Sequence, residues 1–116
     1  MEITLREEGP LSILELKGRL DMNSGTALKE QIKKLHGRQI TSVHLNLAGV
    51  EFINSSGLGA LVSIMKETRV RKGRLTLSNL ATYVQEIFEI TQLSHIFEIF
   101  PTEADAQASY QAMVAH

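Results

Sequence analysis

Polar and apolar positions change period several times along the chain, and each change marks a new element. "EITLREE" (2–8) alternates with Ile3 and Leu5 on one face, and "GP" at 9 and 10 turns the chain into "LSILELKG" (11–18). Two short strands in a hairpin are expected there. From Asn23 the spacing becomes helical: Leu28, Ile32 and Leu35 lie four and three apart, with Lys29, Glu30, Lys33 and Lys34 between them. Asn23 or Ser24 is the expected cap. Period two returns in "SVHLNLAGV" (42–50), where Val43, Leu45 and Leu47 share a face. Leu58, Leu61, Val62 and Met65 mark a second helix, which Gly73 should end. "RLTLSN" (74–79) reads as a strand, "TYVQEIFEIT" (82–91) as a helix through Val84, Ile87 and Phe88, and "HIFEIF" (95–100) as a last strand before Pro101. "TEADAQASYQAMVAH" (102–116) closes as a helix, with Thr102 as N-cap and Asp105 in the first turn.

The order is therefore ββαβαβαβα. Strands alternating with helices of this length imply right-handed crossovers and an α/β fold: a mostly parallel mixed sheet of about five strands with about four helices. The first strand should be an antiparallel edge. No repeat, low-complexity tract or long linker interrupts the pattern, so one domain over 1–116 is expected.

Composition narrows the function classes. The chain has 116 residues, 43% hydrophobic and 22% charged, enough for one core without metals or crosslinks. Cysteine is absent, which removes disulfides, zinc knuckles and thiol nucleophiles and makes the cytoplasm the expected compartment. "MEITLREEGP" has no apolar h-region and no run approaches membrane-spanning length, so neither secretion nor membrane insertion is expected. Net charge is -1, and the basic residues are scattered except in "KETRVRKGR" (66–74). That run reads as the solvated end of a helix whose dipole favours cations, and no nucleic-acid partner is expected.

The chemistry concentrates in "EFINSSGLGALV" (51–62), where an apolar strand stops at Asn54 and two serines and two glycines precede the helical pattern. A strand's carboxyl end meets a helix N-terminus there, a place that favours negative charge. A dinucleotide fingerprint fails because Val62 stands where a third Gly is needed; Gly-Lys-Ser/Thr and Gly-x-Ser-x-Gly are both absent. His36, His44, His95 and His116 fall on different elements and read as surface or half-buried polar residues, with no metal-ligand spacing and no general base for a serine. No cofactor, metal or catalytic residue is expected.

Two readings of Asn54, Ser55 and Ser56 stand together. One side chain can cap the helix, worth about 1 kcal/mol. Capping needs only one, and a surplus exposed serine at the positive end of a helix is a good phosphoacceptor. Gly57 and Gly59 either pack the helix on the sheet or leave room for a partner. Asp21 is either a turn or cap residue or a partner contact.

"LNLAGVEFINSSGLGALVSIMK" resembles the phosphorylation-site segment of STAS domains, specifically the small bacterial anti-sigma-factor antagonists. "LKGRLDMNSGTALKEQI" is similar to the family's second strand, Leu-Asp loop and first helix, and "GRLTLSNLATYVQEIFEITQLSHIFEIFPTEADAQAS" to its closing elements, so the likeness covers essentially the whole chain. The resemblance implies a switch and no enzyme. In the family, the unphosphorylated antagonist binds a kinase-type anti-sigma factor of the GHKL class and releases a sigma factor; the kinase then phosphorylates a serine and the complex parts. A serine phosphatase resets it. By alignment with the family's Asp-Ser-Ser/Thr-Gly motif, the acceptor is Ser55, with Ser56 as cap or secondary acceptor. Asn54 departs from that motif: it keeps an acceptor oxygen and loses the carboxylate's charge.

The expected docking surface joins Asp21, Asn23 and Ser24 to Asn54, Gly57, Leu58 and Gly59, with Ser63 and Lys66 on the following helix. The free protein is expected as a monomer. Two alternatives fit the same residues: a STAS adaptor that is never phosphorylated and serves a transport or signalling complex, and a sensor whose turn holds a nucleotide or other anion.

Overall fold

A computed structural model describes residues 1–114, with side chains through 112. The element order is β1 (Glu2–Glu8), β2 (Leu11–Leu20), α1 (Met22–Gly37), β3 (Ser42–Ile53), α2 (Ser55–Val70), β4 (Arg74–Ser78), α3 (Thr82–Ile90), β5 (Glu98–Phe100) and α4 (Glu103–Val114), with a 3-10 turn at Leu93–His95. This is the expected ββαβαβαβα series. The end of the last helix, expected at His116, lies outside the described residues.

The sheet order is β1-β2-β3-β4-β5. β1 pairs antiparallel with β2 as an edge strand, and β2 to β5 run parallel. Because the order advances in one direction without reversal, right-handed crossovers put α1, α2 and α3 on one face. The main core is buried between that face and those helices, including Leu14, Leu45, Leu47 and Leu77 from the sheet and Leu28, Leu61 and Phe88 from the helices. α4 returns to the opposite face, where Tyr110 joins Leu11 and Ile13.

β3 departs from simple alternation. Val43, Leu45 and Leu47 are buried two apart, but Val50 and Ile53 follow at intervals of three. The register against β2 slips twice, between Glu15 and Lys17 and between Gly18 and Arg19, and each slip lets one extra β3 residue pass without turning the apolar face outward.

Several local expectations are corrected. α1 begins one residue earlier than its expected cap: Asp21 is the N-cap, Asn23 lies inside the helix, and Ser24 closes a reciprocal box instead of capping alone. α2 ends at Val70, and the left-handed residue after it is Lys72, at φ 58, not Gly73. Gly73 instead makes room for Thr41, whose carbonyl occupies the place of a Cβ. The last strand keeps only three residues of "HIFEIF". Gln92 at φ 63 starts a 3-10 turn whose Leu93 carbonyl accepts the Ile96 and Phe97 amides, and Phe97 is buried edge-on against Phe88, ring centroids 5.5 Å apart. Thr102 caps α4 as expected, its Oγ1 accepting the Asp105 amide at 3.2 Å.

His36 and His44 are fully buried, where surface or half-buried positions were expected. Both are sheltered by hydroxyl partners. His44 Nδ1 lies 2.7 Å from Thr76 Oγ1 and Nε2 lies 2.7 Å from Ser78 Oγ. Thr76 donates to the Tyr110 hydroxyl, which donates to the Val43 carbonyl at 2.9 Å. With that direction of donation, a neutral ring carrying its proton on Nδ1 satisfies every member, and burial pushes its pKa down to about 4. His36, in the last turn of α1, faces α2 with its Nε2 3.3 Å from the Thr68 hydroxyl, and burial lowers its pKa as well.

Candidate functional site

β2 and β3 end side by side. Leu20 and Ile53 are their last register pair, so Asp21 and Asn54 follow at the same end of the sheet, where the Asn54 amide donates to the Leu20 carbonyl at 3.2 Å. Two helices therefore begin together at two adjacent parallel strand ends.

Each start is capped by a side chain. At α1 the Asp21 carboxylate accepts the Ser24 amide at 3.1 Å, the Asp21 amide donates to Ser24 Oγ at 2.9 Å, and Ser24 Oγ donates to the Arg19 carbonyl at 2.6 Å. The donating Ser24 amide holds the Asp21 carboxyl below its usual pKa. At α2 Asn54 Oδ1 accepts the Gly57 amide at 2.9 Å. The cap at α2 is thus Asn54, and Ser56 does not serve as cap.

Small residues bring the two starts together. A Cβ on Gly25 would lie 2.8 Å from the Cβ of Ala60, and a Cβ on Gly57 would collide with the Leu20 carbonyl. Gly57 is therefore a close-packing glycine of α2 against β2. Gly59 is different: it is exposed, with nothing within 4 Å of a Cβ position.

Of the residues singled out in the sequence, Asn23, Ser55, Ser56, Gly59 and Lys66 are exposed, and Asp21, Asn54, Leu58 and Ser63 are half-buried. They share the α1 and α2 starts and the outer side of α2. Ser24 and Gly57 are buried and form no surface; they shape the site from beneath, through the capping box and the close helix packing. Ser55 and Ser56 occupy the first turn of α2, where amides have no intrahelical acceptor, and their hydroxyls have no hydrogen-bond partner among the described residues.

One feature beside the site was missed. The Arg19 guanidinium lies 3.8 Å from the centroid of Phe52, on the neighbouring strand, and its charge also lowers the Asp21 pKa. The signal was available in the pairing of "GRLD" with "EFIN", but it needed the shifted register that places Arg19 opposite Phe52.

Among the described residues, no group of three His, Cys, Asp or Glu side chains is placed to hold a metal ion, and no helix is long and apolar enough to cross a membrane. The fold and this surface define a small α/β module with two helix starts and two unencumbered serines at one end of its sheet. The chain belongs to the STAS domain family, whose model matches residues 2–106.

It is 30% identical to an anti-sigma-B factor antagonist of Listeria monocytogenes over 90% of this chain and 91% of that one. An anti-sigma factor antagonist from Mycobacterium paratuberculosis superposes with TM-score 0.82 at 21% identity, covering 93% of this chain and 92% of that one. The Bacillus cell fate determinant SpoIIAA in its phosphorylated form superposes with TM-score 0.73 at 22% identity, covering 94% of this chain and 99% of that one. The family assignment made from the quoted segments thus holds, as does the fold expected with it.

Proposed function

We propose that this protein is an anti-sigma-factor antagonist working as a phosphorylation-controlled partner switch. The unphosphorylated form binds an anti-sigma factor that is also a GHKL-type serine kinase, and a sigma factor is released. Ser55 Oγ then attacks the γ-phosphorus of the kinase's ATP, its proton passing to a base on the kinase and ADP leaving. A serine phosphatase hydrolyses the ester and restores the binding form. The chain itself turns nothing over: it supplies the acceptor hydroxyl and the docking surface.

The observation that carries this reading is the division of labour at α2. Asn54 alone caps the helix, so the Ser55 hydroxyl is exposed and uncommitted. A phosphate there carries about two negative charges at a helix N-terminus, whose amides and dipole stabilise it in the free protein. In a close interface the same charge must be desolvated and repels nearby carboxylates. Binding is lost without any change of fold.

Intact-mass spectrometry after incubation with ATP and the kinase encoded nearest the gene tests the acceptor. A gain of one phosphate in the parent and none in Ser55→Ala is expected. No gain in either, with the kinase active on another antagonist, would leave the permanent adaptor as the better reading.

A further inference from the structure

A groove of about 800 Å³ runs between α1 and α2, away from the helix starts. Val62 and Val70 on α2 give it apolar walls above the buried Ile32 of α1, and Val70 is 76% exposed. Lys29 and Lys33 line the α1 side and Lys66 the α2 side. All three are exposed, and none has an ion pair among the described residues. Glu67 on the same rim is already tied to Arg71 at 3.1 Å, which leaves Glu30 as the lining carboxylate without a bridge. The groove thus combines apolar surface with a net excess of positive charge.

We propose that this groove receives an acidic amphipathic segment of the partner protein. Its apolar side chains would lie against Val62 and Val70, over the buried Ile32, and its carboxylates would meet Lys29, Lys33 and Lys66. The proposal rests on the partner-switch reading and extends that docking surface, because Gly59, Ser63 and Lys66 belong to both. Helix-in-groove docking needs an apolar trough with charged edges, as found here. A nucleic acid fits less well, since half the lining is apolar or acidic and a phosphate backbone needs a denser row of cations. The bare Gly59 at the upper end lets a segment that contacts the α2 start continue into the groove without meeting a side chain.

Calorimetry with the cognate anti-sigma factor, at low and at physiological salt, tests this on the parent, on Lys29→Glu/Lys33→Glu and on Ser55→Asp. The lysines are exposed, so the double variant should melt with the parent. Its affinity is expected to fall about tenfold or more, with a flatter salt dependence. Unchanged affinity in the double variant, with binding abolished in Ser55→Asp, would overturn the groove and leave the switch standing. Absence of binding by the parent would overturn both. Self-association of the parent that the lysine reversals abolish, or capture of a single-stranded oligonucleotide at physiological salt, would replace the acidic partner segment with another occupant and overturn the proposal.

Discussion

The Asn54 oxygen that accepts the Gly57 amide at 2.9 Å decides what the neighbouring serines are available for. Asn54→Ala should cost about 1 kcal/mol in urea unfolding, and Asn54→Asp should keep the cap and add about 0.3–1 kcal/mol from the helix dipole. The two glycines separate in the same assay. Gly57→Ala forces a methyl into the Leu20 carbonyl and should cost about 1–3 kcal/mol or more. Gly59→Ala meets open space inside a helix and should stabilise by about 0.5–1 kcal/mol. At this scale the sequence was legible as a set of candidates. "NSSG" and "LDMNSG" each hold several residues that can cap, and only the position at which the strand ends selects Asn54 in one and Asp21 in the other. The same end of the strand decides that Gly57, and not Gly59, faces the sheet.

Helix ends show a second kind of choice. The residues after α1, α2 and α3 that adopt the left-handed conformation are Gln39, Lys72 and Gln92, none of them glycine. In α2 the Gly73 amide donates to the Thr68 carbonyl at 2.8 Å and the Lys72 amide to Arg69, so the end is well tied although Lys72 carries the backbone cost. Lys72→Gly should therefore stabilise by about 1 kcal/mol, read as a higher urea midpoint with unchanged slope. Element order and the parity of most strands were plain in the alternation of polar and apolar positions. The two slips in β3 were not, because a bulge keeps residues on one face while breaking the period that reveals the face. β5 is shorter than the sequence suggests for a related reason: Ile96 and Phe97 look like strand residues, but packing of Phe97 against Phe88 binds them into a turn.

Across the whole molecule, α4 and the sheet face beneath it are coupled through half-buried and buried polar groups. Arg6 on β1 reaches Glu103 at 2.7 Å, and Asn46 donates to the same carboxylate at 3.1 Å. Burial raises the Glu103 pKa, but these hydrogen bonds outweigh it and the net direction is down. Below this lie His44, Thr76, Ser78 and Tyr110. His44 is held near pKa 4 against an ordinary 6.5, so the unfolded chain binds the extra proton between those values and stability falls as pH falls. The contribution is complete above about pH 6.5 and is lost by about pH 4, a change of about 3 kcal/mol. His36 shifts in the same direction and adds to it. Unfolding free energies measured from pH 7.5 down to pH 4 should show this decline, and a flat profile down to pH 4.5 would contradict a neutral buried His44. None of this network was visible in the sequence, since His44 meets Thr76 and Ser78 only through the β3–β4 register and Tyr110 joins them only when α4 crosses the second face.

In the proposed switch the change is local: the helix starts are fixed by capping bonds and close glycine contacts, so a phosphate on Ser55 would change charge at a surface instead of refolding it. The most direct test is the dissociation constant of the complex with the cognate anti-sigma factor, measured for the unmodified protein and for protein phosphorylated at Ser55. A coupling of about 2 to 4 kcal/mol predicts affinity lower by roughly thirty- to a thousandfold in the phosphorylated form. Equal affinities would contradict the account.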